Sequence, residues 1–265
     1  MRPASLFGVP VAAVVAVGLG ACGGKSAPAA IEPTGSAVDD AGERDQPPAD
    51  GEEDGVEIVS TRGKIDPDAV TRAIEPHATA LEACYADHVG RRRWLGGGIE
   101  LRWDVGADGA LTSVRLTHSD LGAWKVEKCV LAIARQLAFG KPKGGKAHVS
   151  APVAFSSGSG ALTWSEDQAV RAVGGRFKEL GECAKAAAAA DPSNVTVTIY
   201  VGTRGKVQSV GFASPSGFPD AWADCAHDRA MAWALTDPRG KVAKLSFVYN
   251  PAADSGDDDD GDEEF

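Results

Sequence analysis

The chain carries one pattern of residues twice, and this internal repeat constrains the fold more than any other feature of the sequence. Downstream the copies align at an offset of 96 residues, which places Cys129 over Cys225. Upstream the offset is 99 residues, which places Cys84 over Cys183. The three-residue difference falls between residues 87 and 98. Two cysteines that match in order, together with an ungapped block between Ile99 and Cys129, indicate a duplicated unit.

Hydrophobic periodicity predicts the same elements in both copies. Apolar residues recur at helical spacing around Cys84 and Cys183, then alternate with polar residues as in strands that have one buried face. Pro76 predicts a kink or late start in the first helix, and Gly174-Gly175 weakens its counterpart. The expected strands are 99–105, 111–117 and 148–155, then 195–201, 207–213 and 242–249, and the expected second helices are 124–137 and 221–235.

The predicted fold class is therefore α+β. It consists of two tandem α-β-β-α-β modules, each with a three-stranded antiparallel sheet and two helices on one face. The expected segments are a signal peptide at 1–21, a lipidated cysteine and acidic tether at 22–62, module 1 at 63–157, a linker at 158–165, module 2 at 166–250 and an acidic tail at 251–265.

Five cysteines leave one outside any pairing. Cys22 stands at the expected signal boundary, so the other four are expected to pair within modules. The two helices of each module should pack on the same sheet face, which favours disulfides Cys84–Cys129 and Cys183–Cys225. Two other pairings remain open. Zinc is a further alternative, because His88 lies four residues after Cys84; the second copy has Ala187 at the matching place.

The N-terminus has the features of a secretory signal. Arg2 precedes an apolar run from Leu6 to Leu19, which is short for a membrane span and ends in small residues. The segment 19–22, Leu-Gly-Ala-Cys, resembles the bacterial lipobox, which implies acylation of Cys22 and membrane attachment. By the same resemblance, Gly23 favours the outer membrane over the inner one. The alternative is an ordinary signal peptide that is cut nearby.

Charge is distributed unevenly along the chain. Residues 23–55 carry nine acidic and two basic residues, and residues 254–265 carry eight acidic and no basic ones. Both segments have few large apolar residues, which is typical of a solvated tether and tail. Residues 56–253 carry 24 basic and 20 acidic residues. This small, diffuse excess gives no indication of nucleic-acid binding.

The repeated motif resembles the C-terminal domains of TonB and TolA. It is closer to the TonB-like C-terminal modules with a CY…DG…C pattern that occur in envelope and gliding-motility-type proteins. In the first copy the motif residues are Ala83-Cys84-Tyr85, Asp108-Gly109 and Cys129-Val130. The second copy lacks the tyrosine and the turn aspartate, having Ala184 and Arg204. The resemblance implies a periplasmic domain without enzymatic activity that engages partners along an exposed sheet edge.

The sequence shows no catalytic or cofactor motif. Nucleophile elbows, phosphate-binding loops and the HExxH zinc motif are absent. The five histidines show no metal-ligand spacing. We therefore expect no catalytic residue, cofactor or metal. The loop that the second copy shortens contains Arg91, Arg92, Arg93 and Trp94, and it is the best candidate for a contact surface specific to one copy.

These patterns predict a lipid-anchored protein of the cell envelope. We expect it to act as a non-enzymatic binding or scaffold module in the periplasm or on the outer membrane, with the membrane contacted through acylated Cys22. A protein partner could add an extended strand to the edge of a third strand. The alternatives are a purely structural component of a motility, export or transport assembly and an enzyme of unrecognised type.

Overall fold

The structure of the chain is a computed structural model, and it describes residues 63–251. The predicted signal peptide, Cys22, the acidic tether and the tail from residue 252 onward lie outside the described residues. We refer to residues 63–157 as the N-terminal half and to residues 158–251 as the C-terminal half.

Helices and strands alternate in the described part of the chain, as expected for a mixed α+β fold. The helices are α1 (Pro67–Ile74), α2 (Ala78–Val89), α3 (Trp124–Ala134), α4 (Glu166–Val173), α5 (Lys178–Ala186) and α6 (Asp220–Met231). The strands are β1 (Gly97–Val105), β2 (Leu111–Ser119), β3 (Ala147–Phe155), β4 (Leu162–Thr163), β5 (Val195–Val201), β6 (Val207–Ala213) and β7 (Ala243–Tyr249).

The element order recurs at the offsets seen in the sequence. α1 and α4 begin and end 99 residues apart, while β2 and β6 begin 96 residues apart, as do β3 and β7. The first helix of each half is interrupted after eight residues by a short 3₁₀ turn. Pro76 lies in the first of these turns, and Gly174 adopts a positive φ of 54° in the second. The kink expected at Pro76 is confirmed, and the helix that Gly174-Gly175 was expected to weaken is interrupted at these glycines.

The second sheet is larger than the sequence predicted. The first sheet has the antiparallel order β2-β1-β3. The second has the order β4-β7-β5-β6, in which the two-residue strand β4 runs parallel to β7. The prediction of three antiparallel strands is therefore wrong for this sheet, and the predicted linker 158–165 contains β4. The N–H groups of Leu162 and Trp164 donate to the carbonyls of Val242 and Lys244 at 2.8 and 2.9 Å, which accounts for the extra strand.

The strands differ in how many faces they bury. Along β1 buried and partly exposed residues alternate, as predicted. The expectation of a single buried face is wrong for β5, where every residue except Thr196 is buried. The reason is that part of the N-terminal half covers the face of the second sheet that turns away from the C-terminal helices. Three side chains on that face donate hydrogen bonds to N-terminal-half carbonyls: Ser209 to Gly122 at 2.7 Å, Tyr200 to Gly96 at 2.8 Å and Thr198 to Ser119 at 3.3 Å.

Ion pairs between α3 and α6 extend this contact. Arg135 forms two hydrogen bonds with the carboxylate of Asp220, both at 2.7 Å, and Lys128 contacts Asp224 at 2.7 Å. Residues 63–251 accordingly belong to one compact unit.

Candidate functional site

Each half contains one disulfide, which joins two of its helices. Cys84 and Cys129 link α2 to α3, and Cys183 and Cys225 link α5 to α6, each with a Cα–Cα distance of 5.6 Å. The prediction of disulfide bonds is confirmed. Each bridge spans a similar stretch of chain, with a sequence separation of 45 and 42 residues respectively.

The predicted contact loop turns partly towards the C-terminal half. The ring of Trp94 lies 4.7 Å from that of Tyr200, centroid to centroid. The Arg92 guanidinium donates to the carbonyls of His88, Val89 and Gln208. Arg91 and Arg93 are exposed. Trp94 and Arg92 therefore help to hold the two halves together and are partly buried, whereas the two arginines on either side of Arg92 are exposed.

The outer edge of β7 is partly free. β4 occupies this edge only at Ala243 and Lys244. Because the backbone groups of a strand point to alternate sides, those of Ser246 and Val248 face the same edge as those of Lys244. Within residues 63–251 no backbone partner occupies the groups of Ser246 and Val248 on this side. The edge beyond β4 can therefore accept a further strand.

A groove of about 410 Å³ follows this edge, and we call it the β7-edge groove. Its floor and walls include Val248, which is 61% exposed, and Trp164 at the end of β4. Lys244 pairs with Asp120 at 3.1 Å at one end of the groove. The groove is lined by Asp120, Thr163, Trp164, Glu166, Thr196, Lys244, Leu245, Ser246, Phe247 and Val248. It offers unpaired backbone groups beside an exposed apolar side chain, which suits an extended peptide.

The equivalent edge of β3 differs at one decisive position. At the 96-residue offset, Pro152 of β3 corresponds to Val248 of β7. Proline has no backbone N–H, and on an edge strand it prevents pairing with another strand. The sequence suggested that the third strand of either copy could accept a further strand, and Pro152 leaves only β7 as a candidate. The difference between proline and valine at this position is already visible when the two copies are aligned.

A buried carboxylate lies where the halves meet, and sequence reasoning missed it. Glu127 of α3 is fully buried. Its carboxylate accepts hydrogen bonds from the hydroxyl of Ser119 at 2.7 Å and from the backbone N–H of Phe212 at 2.8 Å. A Cβ at Gly211 would come within 2.2 Å of the Glu127 Oε1, so the close approach requires glycine there. Burial raises the pKa of Glu127 to about 7, although these hydrogen bonds favour the charged form.

A charged cluster lies on the first sheet. The carboxylate of Asp104 accepts a hydrogen bond from Arg115 and contacts the ring of His148. Partial burial raises the pKa of Asp104, but the hydrogen bonds from Arg115 and His148 outweigh burial and hold the pKa below its usual range. Because its members pair with one another, the cluster is best understood as part of the sheet surface.

Among residues 63–251, no group of three or more His, Cys, Asp or Glu side chains is placed to hold a metal ion. Within the same range no helix has the length and apolar character needed to cross a membrane. Comparison of the chain with family models, with curated proteins and with solved structures gives no match.

Proposed function

We propose that this chain is a lipid-anchored protein of the cell envelope, acylated at Cys22, that binds an extended segment of a partner protein by strand addition at the β7-edge groove. In this proposal the two halves are tandem TonB-C-like modules that act without catalysis. The outer membrane is the expected location. The lipobox-like residues 19–22 support the anchor, and the unpaired edge at Ser246 and Val248 supports the mode of binding.

The free edge of β7 carries the proposal. A peptide there would pair with the backbone groups of Ser246 and Val248 and could place an apolar side chain against Val248. The N-terminal half shows the opposite arrangement, since Pro152 blocks its edge. Exposed edges are usually blocked in this way, so the unblocked apolar edge of β7 is the exception that points to a binding role.

Replacing Val248 by proline is expected to abolish peptide binding and to leave the fold intact. The N–H of Val248 faces outward, so the substitution removes no bond to β5, and β3 already accommodates Pro152 at the matching position. The probe is a library of random ten-residue peptides, selected on the immobilised protein. We expect the selected peptides to bind the wild type at least about tenfold more tightly than V248P, because main-chain hydrogen bonds contribute to the affinity.

The matched control is V248T, which keeps the backbone N–H and the β-branched shape and should bind like the wild type. Hydrogen exchange should show that bound peptide protects the amides of Ser246 and Val248. Selected peptides that bind V248P as well as wild type, or that leave both amides unprotected, would contradict strand addition and favour the purely structural role. Mass spectrometry of the native protein, with C22A as control, tests the lipid anchor separately.

A further inference from the structure

A second cleft lies between α4 and the turn at residues 236–239 in the C-terminal half. It has a volume of about 390 Å³. Its wall is lined by Trp164, Gln168, Arg171, Ala172, Thr236 and the turn residues Asp237, Pro238 and Arg239. Two guanidinium groups therefore border one cleft beside an indole ring. Trp164 also lines the β7-edge groove, but the two sites share no other residue.

The arginines of this cleft have no carboxylate partner within residues 63–251. Neither the Arg171 nor the Arg239 side chain forms an ion pair or hydrogen bond there. Asp237 is the only acidic residue lining the cleft, and one of its oxygens accepts the backbone N–H of Arg239 at 2.9 Å. This bond supports Arg239 in a conformation with φ of 55°. The cleft therefore keeps an excess of positive charge.

In the N-terminal half, the arginine equivalent to Arg171 has an acidic residue beside it. Arg72, the counterpart of Arg171, contacts the carboxylate of Asp66 at 3.8 Å. Asp66 caps α1, and its counterpart capping α4 is the neutral Ser165. The C-terminal half therefore keeps the arginine and lacks the carboxylate.

In the N-terminal half, backbone hydrogen bonds hold the equivalent segments together. Lys64 and Lys143 exchange two backbone hydrogen bonds, at 2.8 and 2.9 Å, and Ile65 beside them is 6% exposed. The counterparts of Ile65 and Lys143 are Trp164 and Arg239, which line the open cleft. The open cleft and its unpaired charge thus coincide with positions at which the two copies differ.

We propose that this cleft binds a carboxylate group of an acidic peptide, held by the guanidinium groups of Arg171 and Arg239. Arginine binds carboxylates through paired, charge-assisted hydrogen bonds, and in the other half the equivalent Arg72 lies 3.8 Å from the Asp66 carboxylate in an exposed ion pair. Trp164 supplies an apolar wall for the part of the ligand next to the carboxylate. The site goes beyond the proposed strand addition and does not depend on it.

The probe is a synthetic peptide with the sequence of residues 254–265, titrated calorimetrically into the full-length protein at low ionic strength. We expect one site whose affinity falls with added salt. Binding should weaken about tenfold in R171A and further in the R171A/R239A double variant. The matched control R72A, at the equivalent arginine of the other half, should bind like the wild type.

A second variant tests the loss of the partner directly. S165D restores the acidic cap found at Asp66, so it should keep the helix capped while supplying Arg171 with an internal carboxylate. We expect this variant to fold normally and to bind the peptide about tenfold more weakly. Unchanged binding in both R171A and S165D would overturn the proposal, as would equal affinity for inorganic phosphate.

The carboxylate can come from a partner or from the acidic tail of the chain itself, and one further variant distinguishes these sources. In it, the four aspartates 257–260 are replaced by asparagine. Tighter peptide binding in this variant would identify the tail as the internal ligand of the cleft, and unchanged binding would assign the cleft to a partner. Absence of peptide binding both in this variant and in the wild type would refute the carboxylate site. V248P should leave peptide binding at the cleft unchanged, so this result is independent of the β7-edge groove.

Discussion

Replacing Cys183 and Cys225 together by alanine is expected to lower the free energy of unfolding by about 4 kcal/mol. The bridge joins α5 to α6 across a sequence separation of 42 residues, and the chain-entropy model assigns a closed loop of that length this contribution. Cys183 is fully buried, so a small apolar residue suits its site. Urea unfolding followed by circular dichroism measures the change.

The equivalent pair in the N-terminal half provides the comparison. Replacing Cys84 and Cys129 by alanine should cost a similar amount, because the separation of 45 residues closes a loop of nearly the same length. Since residues 63–251 form one compact unit, each double variant should shift a single transition. A change below about 1 kcal/mol in either variant would show that the bridge contributes little, since native disulfides of small domains contribute more.

The protein is expected to lose stability as the pH rises from about 4.5 to 7, and Glu127 is the cause. Its pKa is raised from 4.5 to about 7 in the folded protein, so between these values the folded state binds a proton that the unfolded state releases. The contribution of Glu127 to stability is therefore fully present below pH 4.5 and is lost as the pH rises through 7. The shift corresponds to about 3 kcal/mol.

The control is E127Q, which stays neutral at every pH. Its amide oxygen can accept from the backbone N–H of Phe212, while its nitrogen can donate to the hydroxyl of Ser119. Urea unfolding of both proteins between pH 4.5 and 8 should show the decline in the wild type and a flatter profile in E127Q. Because the pKa of Asp104 is lowered, its contribution to stability is lost as the pH falls, in the range where that carboxylate becomes protonated. This loss lies below the pH range of the Glu127 effect. Parallel profiles for the two proteins would contradict the assignment to Glu127.

Local patterns in the sequence predicted most of the elements, because periodicity reports directly on helices and strands. The strand β6 has the predicted bounds, and the interruption at Pro76 follows from the chemistry of proline. β4 escaped prediction because it has only two residues and follows a segment rich in serine and glycine. Its pairing with β7 depends on where that strand lies, which no local pattern reports.

The contact between the halves was not predictable from either copy alone. Thr198 and Tyr200 looked like residues of an exposed face, yet hydrogen bonds to carbonyls of the N-terminal half keep them buried. Glu127 lies within the predicted helix 124–137, and no local pattern marks it as buried. Its burial depends on Gly211, 84 positions further along the chain, leaving room for the carboxylate.

The candidate sites depend on differences between the copies, which the aligned sequence already contains. Two of these differences, Pro152 aligned with Val248 and Asp66 aligned with Ser165, are visible without a structure. The structural effect of these differences is not visible in the sequence, because it depends on Val248 lying on a free edge and on Asp66 contacting Arg72. The repeat thus identified positions to compare, and the fold supplied the physical reason for each difference.

The contact between the halves also has a mechanical consequence. Gly63, where the described chain begins, is hydrogen-bonded to Lys146 in the N-terminal half, whereas the β7-edge groove belongs to the other half. If the protein were tethered upstream of Gly63 and bound by a partner at β7, tension between these points would pass through the contact between the halves. That contact includes Glu127 and the Arg135–Asp220 pair. Under a pull along that line this junction would carry the force, and its strength would set how firmly the proposed anchor and a partner bound at β7 are coupled.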